Sequence, residues 1–218
     1  MKQITIIGAS TDLGITTVQH ALKKGHQVVA LSSNMDKIAD HKKLLKLKGS
    51  VTSVDDVKKA ITGSNAVIVT VGAKFQLMLG QMDGYANIYS NTAIAILSAL
   101  KDLKMEVPLL VVSAFGAGES RKYLPFTWQF ALPRILTKSY NDKTQMEKIL
   151  SKGYRFSEII RPAIMTNRRP KGNFKAHLRL EQGMKLEKIS REDVAHFLIA
   201  QAQNPTHMHH YVSLTSAS

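Results

Sequence analysis

No cysteine occurs anywhere in the 218 residues. That excludes disulfides, thiolate chemistry and Cys-ligated zinc, and it suits a reducing compartment. No apolar run approaches the length of a membrane span. The first β-favouring run begins at residue 3 or 4 with no apolar leader before it, so no secretory signal is expected and the expectation is a cytoplasmic protein. Acidic residues are scarce, 16 against 30 Lys and Arg, for a formal charge of +14. Such an imbalance favours polyanionic company: nucleotides, phosphorylated flavins, acidic pigments or nucleic acid. No helix-turn-helix or RNA-binding signature is present, which argues against nucleic acid. Much of the charge reads as solvated surface. His41, Lys42, Lys43, Lys46 and Lys48 are interleaved with Leu44, Leu45 and Leu47, as on an amphipathic helix.

What is present is organised around the opening stretch, Ile4-Thr5-Ile6-Ile7-Gly8-Ala9-Ser10-Thr11-Asp12-Leu13-Gly14. A β-favouring run, apolar on both faces, suits a central strand of a parallel sheet. Gly8 allows a sharp exit from the strand, and Gly14 lets the following helix pack closely. The helix N-terminus then offers N–H groups and partial positive charge to a pyrophosphate. The strand–turn–helix context is that of a dinucleotide fingerprint. One glycine is missing: Thr11 stands where the middle glycine of G-x-x-G-x-x-G belongs, and Asp12 adds a negative charge. The hydroxyls of Ser10 and Thr11 can donate to phosphate.

Along the chain, helical spacing from Thr11 to Lys24 ends at Gly25, and His26 to Leu31 reads as a second strand. A helix is expected from about Asp36 to Leu47, a short third extended segment at Val51, and a helix capped by Ser53. Ala66 to Val71 is a buried strand, 74–84 a loop, Tyr85 to Lys104 a long helix and Leu109 to Ser113 a strand. Phe115 to Pro133 reads as irregular, Thr137 to Lys152 as helix, and Arg155 to Ile160 as the sixth strand. Met165 to Gln182 reads as a basic loop, and Lys185 to Ile189 as a short strand. A helix capped by Ser190 follows, and Tyr211 to Leu214 is a last strand. With 44% hydrophobic residues and no linker, this alternation predicts one domain, residues 1–218. The fold class is α/β, a doubly wound parallel sheet of order 3-2-1-4-5-6 with a small C-terminal substrate lobe.

Four pieces occur in order: Gly8-Ala9-Ser10 through Gly14, Val71-Gly72-Ala73, Ser113-Ala114-Phe115 and Arg161-Pro162-Ala163. Asp142-Lys143, Glu147, Leu150 and Gly153 fall between the last two, and Ser190-Arg191-Glu192-Asp193-Val194-Ala195 follows them. In this order they resemble an atypical short-chain dehydrogenase/reductase of the NAD(P)H-binding subgroup that includes biliverdin-IXβ/flavin reductase and NmrA-like proteins. The resemblance spans almost the whole chain and implies a Rossmann domain binding NADP(H). It implies that Ser10, Thr11, Asp12, Leu13 and Gly14 meet the pyrophosphate, and that Ser33 and Lys37 lie near the adenosine 2′-phosphate. Val71, Gly72 and Ala73 would pass under the adenosine. Ser50 and Val51 stand at the adenine edge, where Asp often follows glycine. Ser113 would sit beside the nicotinamide, Lys143 by its ribose, and Pro162, Ala163 and Ile164 at the carboxamide end.

The residues themselves favour NADP(H) over NAD(H). An NAD site wants an acid at the end of the second strand, and Ser32-Ser33-Asn34 stand there instead. Asp36 is assigned to the start of the next helix, where it suits the dipole. The catalytic tyrosine of typical members, four residues before the lysine, is Ser139, and Tyr140, one residue out of register, is expected to face elsewhere. A ketone needs its oxygen protonated as hydride arrives, whereas a flavin takes its proton from water. The expected activity is therefore NADPH-dependent reduction of a flat conjugated acceptor, flavin-, bilin- or quinone-like, with Ser113 and Lys143 positioning. Phe115, Tyr123, Phe126 and Trp128 offer stacking walls. Arg168, Arg169, Lys171, Lys175 and Arg179 offer a clamp for an anionic acceptor. The alternative is a non-catalytic NmrA-like dinucleotide sensor. His207, His209 and His210 lack carboxylates placed to help them, and no metal is expected.

Overall fold

Ile4, Ile6 and Ile7 are fully buried because β1 (Gln3–Ile7) has a neighbour on each side and helices on both faces. A computed structural model describes residues 1–72, 87–124, 126–182 and 187–217, the side chains of 127–136 excepted. β1 pairs in parallel with β2 (Gln27–Ser32) and with β4 (Ala66–Val69). The sheet continues from β2 to β3 (Leu44–Lys48), and from β4 through β5 (Leu109–Val112) and β6 (Ser157–Pro162) to β10 (Tyr211–Ser216). All of these run parallel; β8 (Phe174–His177) closes the far edge antiparallel to β10. β7 (Met165–Thr166) and β9 (Ile189–Ser190) form a separate parallel pair.

Side-chain alternation splits the core into two layers. On one face Ile4, Ile6, Ala30, Ile68 and Ile160 pack under α1 (Asp12–Lys23) and α5 (Arg191–Gln203). On the other, Ile7, Leu31, Val69, Val111 and Ile159 pack under α2 (Val54–Ile61), α3 (Ile88–Asp102) and α4 (Phe126–Gly153). This is a doubly wound α/β sheet of the Rossmann type, and its order β3-β2-β1-β4-β5-β6 is the expected one. Ser53 and Ser190 cap their helices as expected, accepting from Asp56 N and Asp193 N.

Three local expectations are corrected. Residues 36–47 are not a helix: the chain turns at Met35–Ile38, and the Leu-Lys run becomes β3, displacing the strand expected at Val51. The open edge of β2 offers ladder bonds from Val28↔Leu44 to Ser32↔Lys48, and the run satisfies that period as well as a helical one. Leu44 and Leu47 pack against opposite core layers, and the lysines protect the edge. Residues 115–133 are not irregular throughout. They hold a 3₁₀ helix, Gly118–Tyr123, and α4 begins at Phe126 with Pro133 inside it. A proline can sit within a helix at the loss of one hydrogen bond rather than end it. The loop expected over 165–182 contains β7 and β8. The loop expected over 74–84 lies outside the described residues.

Candidate dinucleotide site

Parallel strands place their C-terminal ends on one edge, and here the register aligns them. Leu47, Leu31, Ile7 and Val69 are successive partners, Val69 pairs with Val111, and Val112 pairs with Ile160. The segments just beyond that edge are Gly49–Ser50, Ser32–Ser33, Gly8–Thr11, Thr70–Gly72, Ser113 and Pro162–Ile164. Six sequence-separated segments thus meet along one line, with the order reversing between β1 and β4, where such sheets bind ligands.

At the reversal the backbones are in close contact. Gly8 has φ +82°, and a Cβ there would lie 2.7 Å from Val71 N. At Gly14 a Cβ would fall 2.5 Å from Gly8 O, so only glycine lets α1 start this close to the strand exit. Thr11, in place of the middle glycine, is the N-cap: its Oγ1 accepts from Gly14 N at 2.9 Å. The same hydroxyl donates to Gly8 O (3.1 Å) or Thr70 O (3.0 Å), tying the β1 and β4 exits together. The expected donation from Thr11 to a phosphate competes with these bonds. Ser10 Oγ shares a 2.5 Å hydrogen bond with Ser32 Oγ. The amides of Asp12 and Leu13 find no acceptor among the described residues. Asp12 itself is exposed, its carboxylate 3.9 Å from Arg191 Nη2.

On the adenosine side Ser33 and Lys37 are exposed. Asp36 does not open a helix. It sits in an exposed turn, its amide donating to Asn34 Oδ1 at 2.7 Å. Ser50 N donates to Asp56 Oδ2 at 2.9 Å, so α2 supplies a carboxylate beside the position where the sequence shows serine. Val51 is in the adjoining turn, and Val71 is nearly buried beside Gly72. Ala73 lies outside the described residues.

At the other end, Ser113 is buried and its Oγ donates to Glu147 Oε1 at 2.6 Å. Glu147 is in turn held by Arg161, through Nε (2.9 Å) and Nη2 (2.7 Å). Lys143, one turn nearer the start of α4, is also mostly buried, its Nζ 4.0 Å from the centre of the Tyr89 ring. Its neighbour Asp142 accepts the amides of Tyr89 (2.8 Å) and Ser90 (3.0 Å), capping α3 from another helix. The Tyr140 ring packs at Gly116. Burial, then Tyr89, pushes the Tyr140 phenol upward. Ser139 Oγ is buried without a hydrogen bond among the described residues. Beyond β6, Pro162 O accepts from Phe115 N, Ala163 N donates to Leu214 O, and Ile164 is half exposed. Phe115 is buried and Phe126 exposed; the Trp128 side chain lies outside the described residues. Arg168, Arg169 and Lys171 are exposed just after β7. His207 stacks on Phe197, and, contrary to the expectation of no carboxylate near these histidines, its Nδ1 stands 3.9 Å from Glu158 Oε1.

These residues fit a dinucleotide. Two amides without an acceptor among the described residues, at the head of a 12-residue helix, are an anion donor set, and the two glycines keep the strand exit clear of side chains. Several contributors were not legible in the sequence: Tyr89, Asp56 and the Asp142 cap act across elements, which no local spacing reports. Among the described residues no helix is long and apolar enough to cross a membrane.

Solved structures share this architecture at low identity. A short-chain dehydrogenase/reductase from Veillonella parvula in complex with NADP superposes with a TM-score of 0.81 at 16% identity, covering 100% of this chain and 95% of that one. A candidate NADH-flavin reductase from Streptococcus pneumoniae gives 0.75 at 18% identity, covering all of both chains. ChuY, an anaerobilin reductase from Escherichia coli O157:H7, gives 0.75 at 17% identity, covering 99% and 98%. The sequence profile of the NAD(P)H-binding family matches residues 8–205, from the glycine that ends β1 to the proline after α5, and the chain belongs to that family.

Proposed function

We propose that the protein is an NADPH-dependent reductase that passes hydride to a flat conjugated acceptor, flavin-, bilin- or quinone-like. The observation that carries the reading is the glycine-lined exit of β1 with its two unpaired α1 amides, at the point where the strand order reverses. The flavin and anaerobilin reductases among the structural neighbours support the choice of acceptor. The nicotinamide, when bound, supplies the hydride. The chain's own residues bind and orient. Asp12 N and Leu13 N meet the diphosphate, with Gly8, Ser10 and Gly14 forming the turn. Ser33 and Lys37 meet the 2′-phosphate, Ser50 and Val51 border the adenine, and Val71 and Gly72 lie under the adenosine. Pro162, Ala163 and Ile164 border the nicotinamide. Lys143 and Ser113 are positioning groups: one is stacked on Tyr89, and the other donates its proton to Glu147. Tyr140, its phenol held protonated by burial, is a weaker acid than a free tyrosine, which argues against ketone reduction.

The same two observations favour a second reading. Neither Ser113 nor Lys143 is free for proton transfer, as in a dinucleotide sensor without turnover. One assay separates the readings: NADPH oxidation followed by absorbance with FMN, FAD, a quinone, a bilin and a simple ketone. Turnover with the conjugated acceptors alone is expected. Turnover of the ketone alone overturns the acceptor class, and tight NADPH binding without any turnover moves the protein to the sensor reading.

For the cofactor, NADPH is expected to bind about tenfold more tightly than NADH, one charge-assisted contact's worth, because the second strand ends in Ser32-Ser33 and Lys37 is available. Side-by-side titration checks it. Asp36 is the counterweight, being an exposed carboxylate in that turn, and equal or tighter NADH binding reverses the preference.

A further inference from the structure

The segment Ser190-Arg191-Glu192-Asp193 does more than start α5. Ser190 Oγ accepts from Asp193 N (3.0 Å) and donates to Asp193 Oδ2 (2.7 Å), a closed cap. The Asp193 carboxylate also accepts the amides of Lys171 (3.2 Å) and Gly172 (3.1 Å), which pins the chain after β7 against the helix. Arg191 reaches in another direction. Its Nη1 donates to Asn167 Oδ1 at 2.6 Å, and its Nη2 stands 3.9 Å from Asp12 Oδ2. That places a guanidinium near the side chain of the first residue of α1, the helix whose Asp12 and Leu13 amides find no acceptor among the described residues.

The Asp12 contact is a weak one. At 3.9 Å it is too long for a hydrogen bond, and the Asp12 side chain is 69% exposed. Arg191, at 25%, is largely packed, so its aim is set by the fold. Its Asn167 bond occupies one donor of a five-donor fork. A guanidinium held in place at the end of a helix, with spare donors, can bind a phosphate bidentately. It also accounts for Asp12, a carboxylate in an anion-binding turn that otherwise opposes binding.

We propose that Arg191 is a diphosphate-binding residue of the dinucleotide site, exchanging the Asp12 carboxylate for a phosphate oxygen when the cofactor binds. This rests on the dinucleotide reading of the site. Asp12 then only borders the guanidinium until the phosphate takes its place, and the packing of Arg191 sets its aim.

The test is isothermal titration of the full-length protein with NADPH, ADP-ribose and 2′-AMP, the last of which carries no diphosphate. Arg191→Ala is expected to weaken NADPH and ADP-ribose about 10- to 100-fold while leaving 2′-AMP within about twofold of the wild type. Arg191→Lys, which keeps the stem and charge but loses the fork, should fall between, and it serves if the alanine variant folds poorly. Asp12→Asn should bind ADP-ribose at least as tightly as the wild type. The proposal is overturned if wild type binds NADPH and both Arg191 variants bind ADP-ribose as tightly, or if 2′-AMP weakens in parallel with ADP-ribose. Failure of the wild type to bind NADPH or ADP-ribose at all defeats the dinucleotide reading itself, and this proposal with it.

Discussion

Glu147→Ala is expected to lower the unfolding free energy by about 3–5 kcal/mol, the cost of leaving one half of a buried ion pair alone. Glu147 and Arg161 are both 2% exposed at the side chain. The carboxylate takes two guanidinium bonds and the Ser113 hydroxyl, so it holds α4, β6 and the end of β5 together. Gly118 makes room for the pair: a Cβ there would lie 2.6 Å from Glu147 Oε2 and 2.9 Å from Arg161 Nη2. Without Glu147, the partners left to Arg161 among the described residues are the face of Tyr211 (4.2 Å) and a long contact to the exposed Glu119 (3.4 Å). Replacing both partners, as in Glu147→Leu with Arg161→Met, should recover most of the loss, because a packed apolar pair carries no desolvation cost. Urea denaturation of Glu147→Leu, Arg161→Met and the double variant measures this cycle. If both single variants lose less than about 1 kcal/mol, the range of a surface pair, the strut is not there. The consequence for the site is that Ser113 is set by the core, so its position at the sheet edge should be rigid.

The second large effect is a pH dependence of stability centred on Glu158. This residue is fully buried on β6, facing α5, and neither carboxyl oxygen has a hydrogen bond among the described residues. Burial alone raises it from the usual 4.5 to about 8. His207 Nδ1 is the nearby group, at 3.9 Å; burial, then His210, lowers its own basicity, so it is a poor source of compensating charge. Below pH 4.5 both the folded and unfolded chains hold the Glu158 proton. Above it the unfolded chain loses the proton first, so stability falls as pH rises, by about 1.4 kcal/mol per pH unit in the limit. The loss is complete once pH passes the folded value near 8. The whole window is worth at most roughly 5 kcal/mol, an upper bound that water penetration reduces. Glu158→Gln removes the titration. Melting temperature from pH 5 to pH 9 should fall more steeply for the wild type than for this variant. Superimposable profiles would show that Glu158 ionises normally in the fold. The comparison of slopes matters more than absolute values, since a glutamine there is also a buried amide.

The parts of the fold that were legible are those whose signal is local. β1, β2, β4, β5 and β6 are short apolar runs bounded by turn residues, and Ser53 and Ser190 announce their helices through hydroxyls that bond three residues ahead. The run Leu44–Lys48 was ambiguous, because Leu44, Leu45 and Leu47 fit a helix face and a strand alike. Its fate depended on the unpaired edge of β2, which is set elsewhere in the chain.

For the site the division is similar. The amino-acid sequence by itself determined a glycine-bounded strand exit, a helix to follow it, and βα alternation that must place the other strand ends on the same edge. It did so because backbone freedom at Gly8 and Gly14 and a two- or 3.6-residue period are properties of neighbouring residues. Only the tertiary structure decided that the Thr11 hydroxyl ties β1 to β4, that Ser113 points into the Glu147–Arg161 pair, and that Lys143 lies on Tyr89. It alone brought Arg191 to Asp12 from the far end of the chain. Each of those is a meeting of side chains on different elements, and which donors and acceptors remain for a ligand is fixed by packing of the two helical layers on the sheet, not by spacing along the chain.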